Sequence, residues 1–221
     1  MASFQPIMFG KFTLLERIAV DAVGELYRAS HPDENGKAQP LLIKKFLPHV
    51  AKNQDLFESL SNCARISSLF KHDNIAQVLD YGSIEDTFYM ATAYLSGYPL
   101  QHLLKISRER RRPFTPEHAL HIATQICRAL TYAHEFTDPL GRYSDVIHGN
   151  LSPKTVFVTF DGVVKLTDFG THFQNTRGAG PQLDQMNNWL TYMSPEQVGG
   201  GPITHHTDIF SLGVLIYEML T

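Results

Sequence analysis

The strongest constraint on the chain lies near its end, where HTDIFSLGVLIYEML is apolar at almost every position over residues 209–220. A helix without a polar face is stable only when other protein surrounds it. At about 1.5 Å of rise per residue the run is too short to cross a bilayer, which takes about 20 apolar residues. Its cover therefore has to come from the rest of the fold. A chain of 221 residues, 43% of them hydrophobic, can bury a sizeable core, as one large domain or two small lobes.

The first part of the chain reads differently, as short β-rich runs: KFTLLERI (11–18), GELYRAS (24–30) and PLLIKKF (40–46). Turn signals at 20–23 and in HPDENGKAQ predict an antiparallel meander. A helix is predicted over 55–70, with Leu56, Leu60, Cys63, Ala64 and Leu69 near one face. Two further strands follow, around 75–81 and 87–95, before SGYP interrupts the pattern. A second helix starts at Thr115-Pro116, with Thr at the N-cap and Pro at N1, and carries a stripe of Leu120, Ala123, Ile126, Leu130 and Ala133. From Val146 to the apolar helix the chain is mainly loop with two short strands.

Charge excludes little. Nineteen basic and twenty-two acidic residues, with a pI near 6.4, give no pull toward nucleic acid or anionic membrane. The two cysteines, Cys63 and Cys127, lie far apart with no CxxC or His-rich spacing, which points to reduced thiols in a reducing compartment and away from a zinc site. The amino terminus, MASFQPIMFGKF, has no basic start followed by a long apolar stretch, so the segment is cytoplasmic in character, and an anchor beyond Thr221 is compatible with that reading.

The signatures IHGN (147–150), LTDFG (166–170), YMSPEQ (192–197) and DIFSLGVLIYEMLT (208–221) follow the meander, helix, strand pair and long helix in one order. In that order the chain resembles the eukaryotic-like Ser/Thr protein kinases of bacteria over about residues 10–221. The resemblance implies an α+β, bilobal kinase-like fold: an antiparallel β-rich small lobe at 1–94 and a mainly helical large lobe at 95–221, joined near 93–97 and truncated after the central buried helix. It also implies further helices past YEMLT that pack around that helix. The expectation is a fragment of a longer protein, or a chain whose partner covers this face.

Laid on the family's catalytic loop, HRDxKPxN, the stretch HGNLSPKTV puts His148 on the His, Gly149 on the Arg, Asn150 on the Asp, Ser152 on the Lys and Thr155 on the Asn. An Asn amide is essentially not basic, so Asn150 cannot take a hydroxyl proton, although it can still orient one. Ser152 brings no charge to a γ-phosphate. Thr155 is a weaker metal ligand than a carboxamide, which leaves Asp168 of DFG as the sole strong magnesium ligand. Gly149 removes the arginine that would read a phosphorylated activation loop.

The implied nucleotide site is altered in the same way. On GxGxxG the chain has Ala19, Asp21 and Gly24, and Asp21 would set a carboxylate beside a polyanion. Lys44 stands at the family's lysine, but Leu42 replaces the small residue that packs on adenine and Phe157 the leucine beneath it; harmless core repacking is the other reading of that pair. The glutamate that should pair with Lys44 falls on Cys63. Glu58, five residues upstream, is rotated off that helical face, so Lys44 is expected to pair with Asp168 instead. The remnant of the site is then Gly24, Lys44, the hinge positions Ala93 and Leu95, and Asp168. Asn188 and Trp189 stand where the family has Gly-Thr before YMSPE, while Glu196 keeps the family's glutamate.

These readings give a pseudokinase: a kinase fold serving as a binding, scaffolding or regulatory module, with ATP and Mg²⁺ binding weak or absent and a protein partner, an active kinase or another signalling protein. The alternatives are a low-activity ATP-dependent Ser/Thr kinase, supported by DFG and Lys44, and nucleotidyl transfer on the same scaffold. RERRRPF (108–114) reads as a solvated surface loop, or as a patch for an acidic partner. His118, His121, His205 and His206 read as surface or capping residues. Cys63 is a small core residue or a redox-sensitive thiol.

Overall fold

A computed structural model describes residues 5–20, 24–33, 35–48, 54–144, 146–169 and 190–221, and the side chains of 55 and 56 are not described. The chain forms two compact units, the first from 1–69 and 77–95, the second from 70–76 and 96–221.

The first unit is a six-stranded antiparallel sheet in the order β1-β2-β3-β4-β6-β5, formed by β1 (Ile7–Phe9), β2 (Phe12–Val20), β3 (Gly24–Pro32), β4 (Ala38–Phe46), β5 (Val78–Ile84) and β6 (Thr87–Ala93). The period-2 alternation of the meander sends Phe12, Leu14, Tyr27, Ala29, Leu41 and Ile43 into one core. The sheet curls until its first hairpin meets its far edge. Lys11 reaches Asp80 at 2.6 Å, the Tyr89 phenol donates to the same carboxylate at 2.9 Å, and the rings of Phe9 and Phe12 stand edge-on to Tyr89. Helix α1 (Gln54–Ser67) packs on β5 and buries Leu60 and Ala64, with Phe57 edge-on to Phe88.

In the second unit α3 (Pro116–His134) packs against α5 (His205–Leu220) and against β9 (Val164–Leu166) of a small sheet that also holds β7 (Gly97–Pro99) and β8 (Val156–Thr159), α2 (Leu100–Glu109) packs on β7 and β8, and the short α4 (Pro195–Gly199) precedes α5. Thr115 caps α3 as expected, accepting the His118 N–H at 3.4 Å, with Pro116 in the first turn. Four of the five expected stripe residues, Ala123, Ile126, Leu130 and Ala133, are buried together with Ala119, Ile122 and Ala129, but Leu120 is 62% exposed. Small alanines on that face let neighbouring elements approach closely, and hydropathy gives alanine little weight against an adjacent leucine.

Residues 75–77, read from sequence as the start of a strand, lie outside β5, and 75 and 76 belong instead to a seven-residue clasp, 70–76, on the second unit. Phe70 is buried edge-on among Tyr132, Phe136 and Phe169. Backbone bonds from Ala76 N–H to Leu166 O (2.8 Å) and from Leu166 N–H to Asn74 O (2.9 Å) extend the clasp along β9. The buried Asn74 amide donates to Gln125 Oε1 at 2.8 Å and to Val164 O at 2.9 Å, and Gln125 Oε1 also accepts the Val164 N–H at 2.9 Å.

The sequence reading did not anticipate β1, α2 or α4. Arg108 and Glu109, read as loop, close α2, and Arg108 pairs with Glu218 at 2.9 Å. The apolar helix α5 is buried on one face only. Thr207, Asp208, Ser211, Leu212, Leu215 and Met219 are buried, whereas Ile209 (53% exposed), Phe210, Gly213, Val214 and Tyr217 (70% exposed) line an open apolar groove. Among the described residues, no helix is long and apolar enough to cross a membrane.

The Asn74–Gln125 pair makes a direct prediction. Gln125→Leu conserves bulk but strips a partner from Asn74 and from the Val164 N–H, so urea unfolding is expected to show a loss of about 2–3 kcal/mol. A change below about 0.5 kcal/mol, the range of an ordinary surface substitution, would contradict the assignment.

Candidate functional site

The loop that carries Asn150 hangs from one carboxylate. Asp208, fully buried in the first turn of α5, accepts the backbone N–H of His148 on Oδ2 and of Gly149 on Oδ1, each at 2.8 Å, and Oδ2 also accepts from His134 Nε2 at 2.8 Å. His148 is itself wholly buried. Its Nδ1 accepts the Asn150 N–H at 3.2 Å and its Nε2 faces Thr167 O at 2.9 Å, which fixes the neutral Nε2–H tautomer. Burial lowers the pKa of this ring below its ordinary value, against the opposing pull of Asp208 and Asp168. The His148 ring packs on Phe169 (4.6 Å), and Phe169 on Phe70 (5.5 Å), so the phenylalanine of DFG is held by core packing.

Thr155 is turned into the loop. Its hydroxyl accepts the Ser152 N–H at 3.1 Å and lies 3.0 Å from Asn150 O and 3.1 Å from Ser152 O, so its one proton stays within the loop backbone. Thr155 is buried, with 4% of its surface exposed, and Ser152 is buried beside it. The arrangement suits a staple better than a metal ligand. Asp168 holds a left-handed backbone (φ +62°), unusual for a residue with a side chain. No group of three or more His, Cys, Asp or Glu among the described residues is placed to hold a metal ion.

The other predicted positions lie in the first unit. Lys44 is buried on β4 (7% exposed), with Nζ 6.0 Å from the Phe46 ring centre, and Leu42 is buried two residues before it. Gly24 faces Phe46 in the sheet register, and a Cβ there would lie 2.5 Å from Lys45 O. Strand pairing alone therefore demands glycine at 24, whatever else the loop once held. Ala93 donates its N–H to Gln77 O at 2.9 Å, and Leu95 is buried. Glu58 is exposed and accepts from the Gln54 amide at 2.6 Å, off the buried face of α1 as expected. Ala19 is exposed on β2. Asp21, Asn188 and Trp189 fall outside the described residues.

Sequence reasoning missed two residues that organise the loop. His134 could not be connected with Asp208 across 74 positions. Gln197 was legible only as the fourth residue of a Ser-x-x-Gln capping box, which it does form with Ser194. Glu196, kept from the family, accepts from the Thr207 hydroxyl at 2.6 Å.

A curled antiparallel sheet with one helix, followed by a helical unit whose HGN loop and DFG stretch are tied to the core, defines the protein kinase fold. Residues 14–221 match the protein kinase domain family, and the chain belongs to that family. It is 30% identical over 213 residues to the tyrosine-protein kinase MasK of Myxococcus xanthus, covering 96% of this chain and 33% of that protein. It is 31% identical over 222 residues to serine/threonine-protein kinase A of Synechocystis, covering 97% and 41%. The chain thus spans between a third and two-fifths of the length of these relatives. Among solved structures it is similar to the PknI kinase domain of Mycobacterium tuberculosis, with a TM-score of 0.74 and 22% identity over 100% of this chain and 77% of that one.

The environment of the Cys63 thiol is testable. Burial pushes Cys63 up to about 11, so at pH 8 only about one thiol in a thousand is ionised. A thiol reagent at pH 8 is expected to modify the exposed Cys127 rapidly and Cys63 far more slowly, with the Cys63 rate rising about tenfold per pH unit up to pH 10. Two equivalents reacting at one rate at pH 8 would contradict this and restore the redox-sensitive reading.

Proposed function

We propose that this kinase domain is a pseudokinase, a protein-binding or regulatory module with little or no phosphotransfer. The observation that carries the reading is the loop at 148–155: its backbone is tied down, while the positions of base, cation and second metal ligand hold Asn150, Ser152 and an inward-turned Thr155. A general base contributes roughly 10²–10⁴-fold and a positioned charge about 10²–10³-fold. Such losses do not add simply. Together they still take a typical turnover of ~1–100 s⁻¹ down by at least about four decades.

Weak or absent ATP and Mg²⁺ binding belongs to the same proposal. Lys44 and Asp168 keep the family's residue types, whereas Leu42, Phe157 and Asp21 depart from them by bulk or by charge. A misplaced carboxylate near a polyanion costs on the order of a kcal/mol, and overpacking a further ~1–3 kcal/mol, which is roughly 10²-fold or more in affinity. The partner would be an active kinase or another signalling protein, and the two free cysteines suit a reducing, cytoplasmic setting. A second reading, a slow Ser/Thr kinase, draws on the left-handed backbone of Asp168, since strain of that kind gathers at working sites.

The test is nucleotide and phosphotransfer together, on the full-length protein. Millimolar ATP with magnesium is expected to leave the melting temperature unchanged, and no labelled γ-phosphate is expected to move. Asn150→Asp combined with Ser152→Lys is expected to stay inactive, because Cys63, Thr155 and the altered cradle persist. A melting shift of several degrees at submillimolar ATP, or robust activity in the double variant, would favour the slow kinase.

A further inference from the structure

Gly149 occupies the position of the arginine in the family's catalytic loop, and its backbone is left-handed, with φ +67°. Glycine adopts that conformation without the steric penalty of a Cβ. The residue is gripped from both sides of its peptide. Its N–H donates to Asp208 Oδ1 at 2.8 Å, and its carbonyl accepts from Gln197 Nε2 at 2.8 Å.

The Gln197 amide is engaged at both ends. Its Oε1 accepts the Ser194 N–H at 3.0 Å, and the residue's backbone N–H donates to Ser194 Oγ at 3.4 Å, closing the capping box of α4. The base of this bridge is fixed in turn. Ser194 is wholly buried, Glu196 accepts from Thr207 of α5, and the Ser211 hydroxyl donates to Tyr192 O at 2.7 Å. One neutral side chain thus joins the start of α4 to the loop 48 residues earlier in the sequence.

We propose that Gln197 is the positioning residue of the 148–150 loop, its amide clamping Gly149 in the left-handed turn and so fixing the backbone from which Asn150 projects. The clamp is uncharged. It holds the loop in one shape without an arginine at 149. The inference stands on geometry alone and holds whether or not the protein transfers phosphate.

Native-state hydrogen exchange separates a clamp from a simple helix cap. Gln197→Met removes both ends of the amide, whereas Ser194→Ala weakens the cap and leaves the donor to Gly149 in place. Exchange at the Gly149 and Asn150 amides, referenced to Ile126 in the core of α3, is expected to rise about tenfold or more in Gln197→Met and to stay within about twofold of wild type in Ser194→Ala. Unchanged exchange at both amides in Gln197→Met would overturn the proposal, as would an equal rise in both variants, which would trace to loss of α4 itself. Should Gln197→Met fail to fold, Gln197→Glu keeps the capping oxygen and lacks the donor, and it must show the same rise.

Discussion

The buried carboxylate of Asp208 is the interaction on which the second unit's loop depends. A carboxyl group taken wholly out of water is tolerated only when donors replace its hydration. Here the replacements are two backbone N–H groups and one imidazole, contributed by the 148–149 loop and by the last turn of α3. Its place in the first turn of α5 adds the favourable end of the helix dipole. The requirement works in both directions: the helix needs the loop's N–H groups to replace the water lost by its carboxyl group, and the loop needs that group to satisfy its buried N–H groups. From that anchor the His148 ring is aimed at Phe169 and Thr167, and Phe169 meets the clasp at Phe70.

Such a scaffold can keep its shape while losing its chemistry, because different atoms carry the two. The anchor uses backbone N–H groups of His148 and Gly149, which no substitution of side chains at 150, 152 or 155 removes. Thr155 strengthens the loop by closing on Asn150 O and Ser152. Gly24 illustrates the converse trap. It looks like a survivor of a phosphate cradle, yet the approach of Lys45 O would exclude any larger residue there.

Much of the fold was legible in the sequence, because strand alternation, the Thr115-Pro116 start and the order of the four signatures are local or nearly local patterns. The failures have physical causes. Hydropathy chose Leu120 over Ala119, but close approach of elements rewards the smaller side chain. Ile75 looked like a strand residue because it does pair with a strand residue, Leu166 of β9, within the second unit. The apolar run of α5 carries no polar signal to show which side its own unit covers, and period 3.6 divides it into one face rich in Leu215 and Met219 and another that lines an open groove. Of the site, residue types at each position were readable. The ties that hold them, Gln197 to Gly149 and His134 to Asp208, cross 48 and 74 residues and leave no periodic trace.

The central claim, that the Asp208 carboxylate holds the loop and the Asn150 side chain does not, is tested most directly by equilibrium urea unfolding of Asp208→Ala beside Asn150→Ala. Asp208→Ala leaves two buried N–H groups and His134 without their acceptor, and the account predicts a loss of at least about 3 kcal/mol, with Asn150→Ala within about 1 kcal/mol of wild type. Equal losses, or a larger loss for Asn150→Ala, would contradict it.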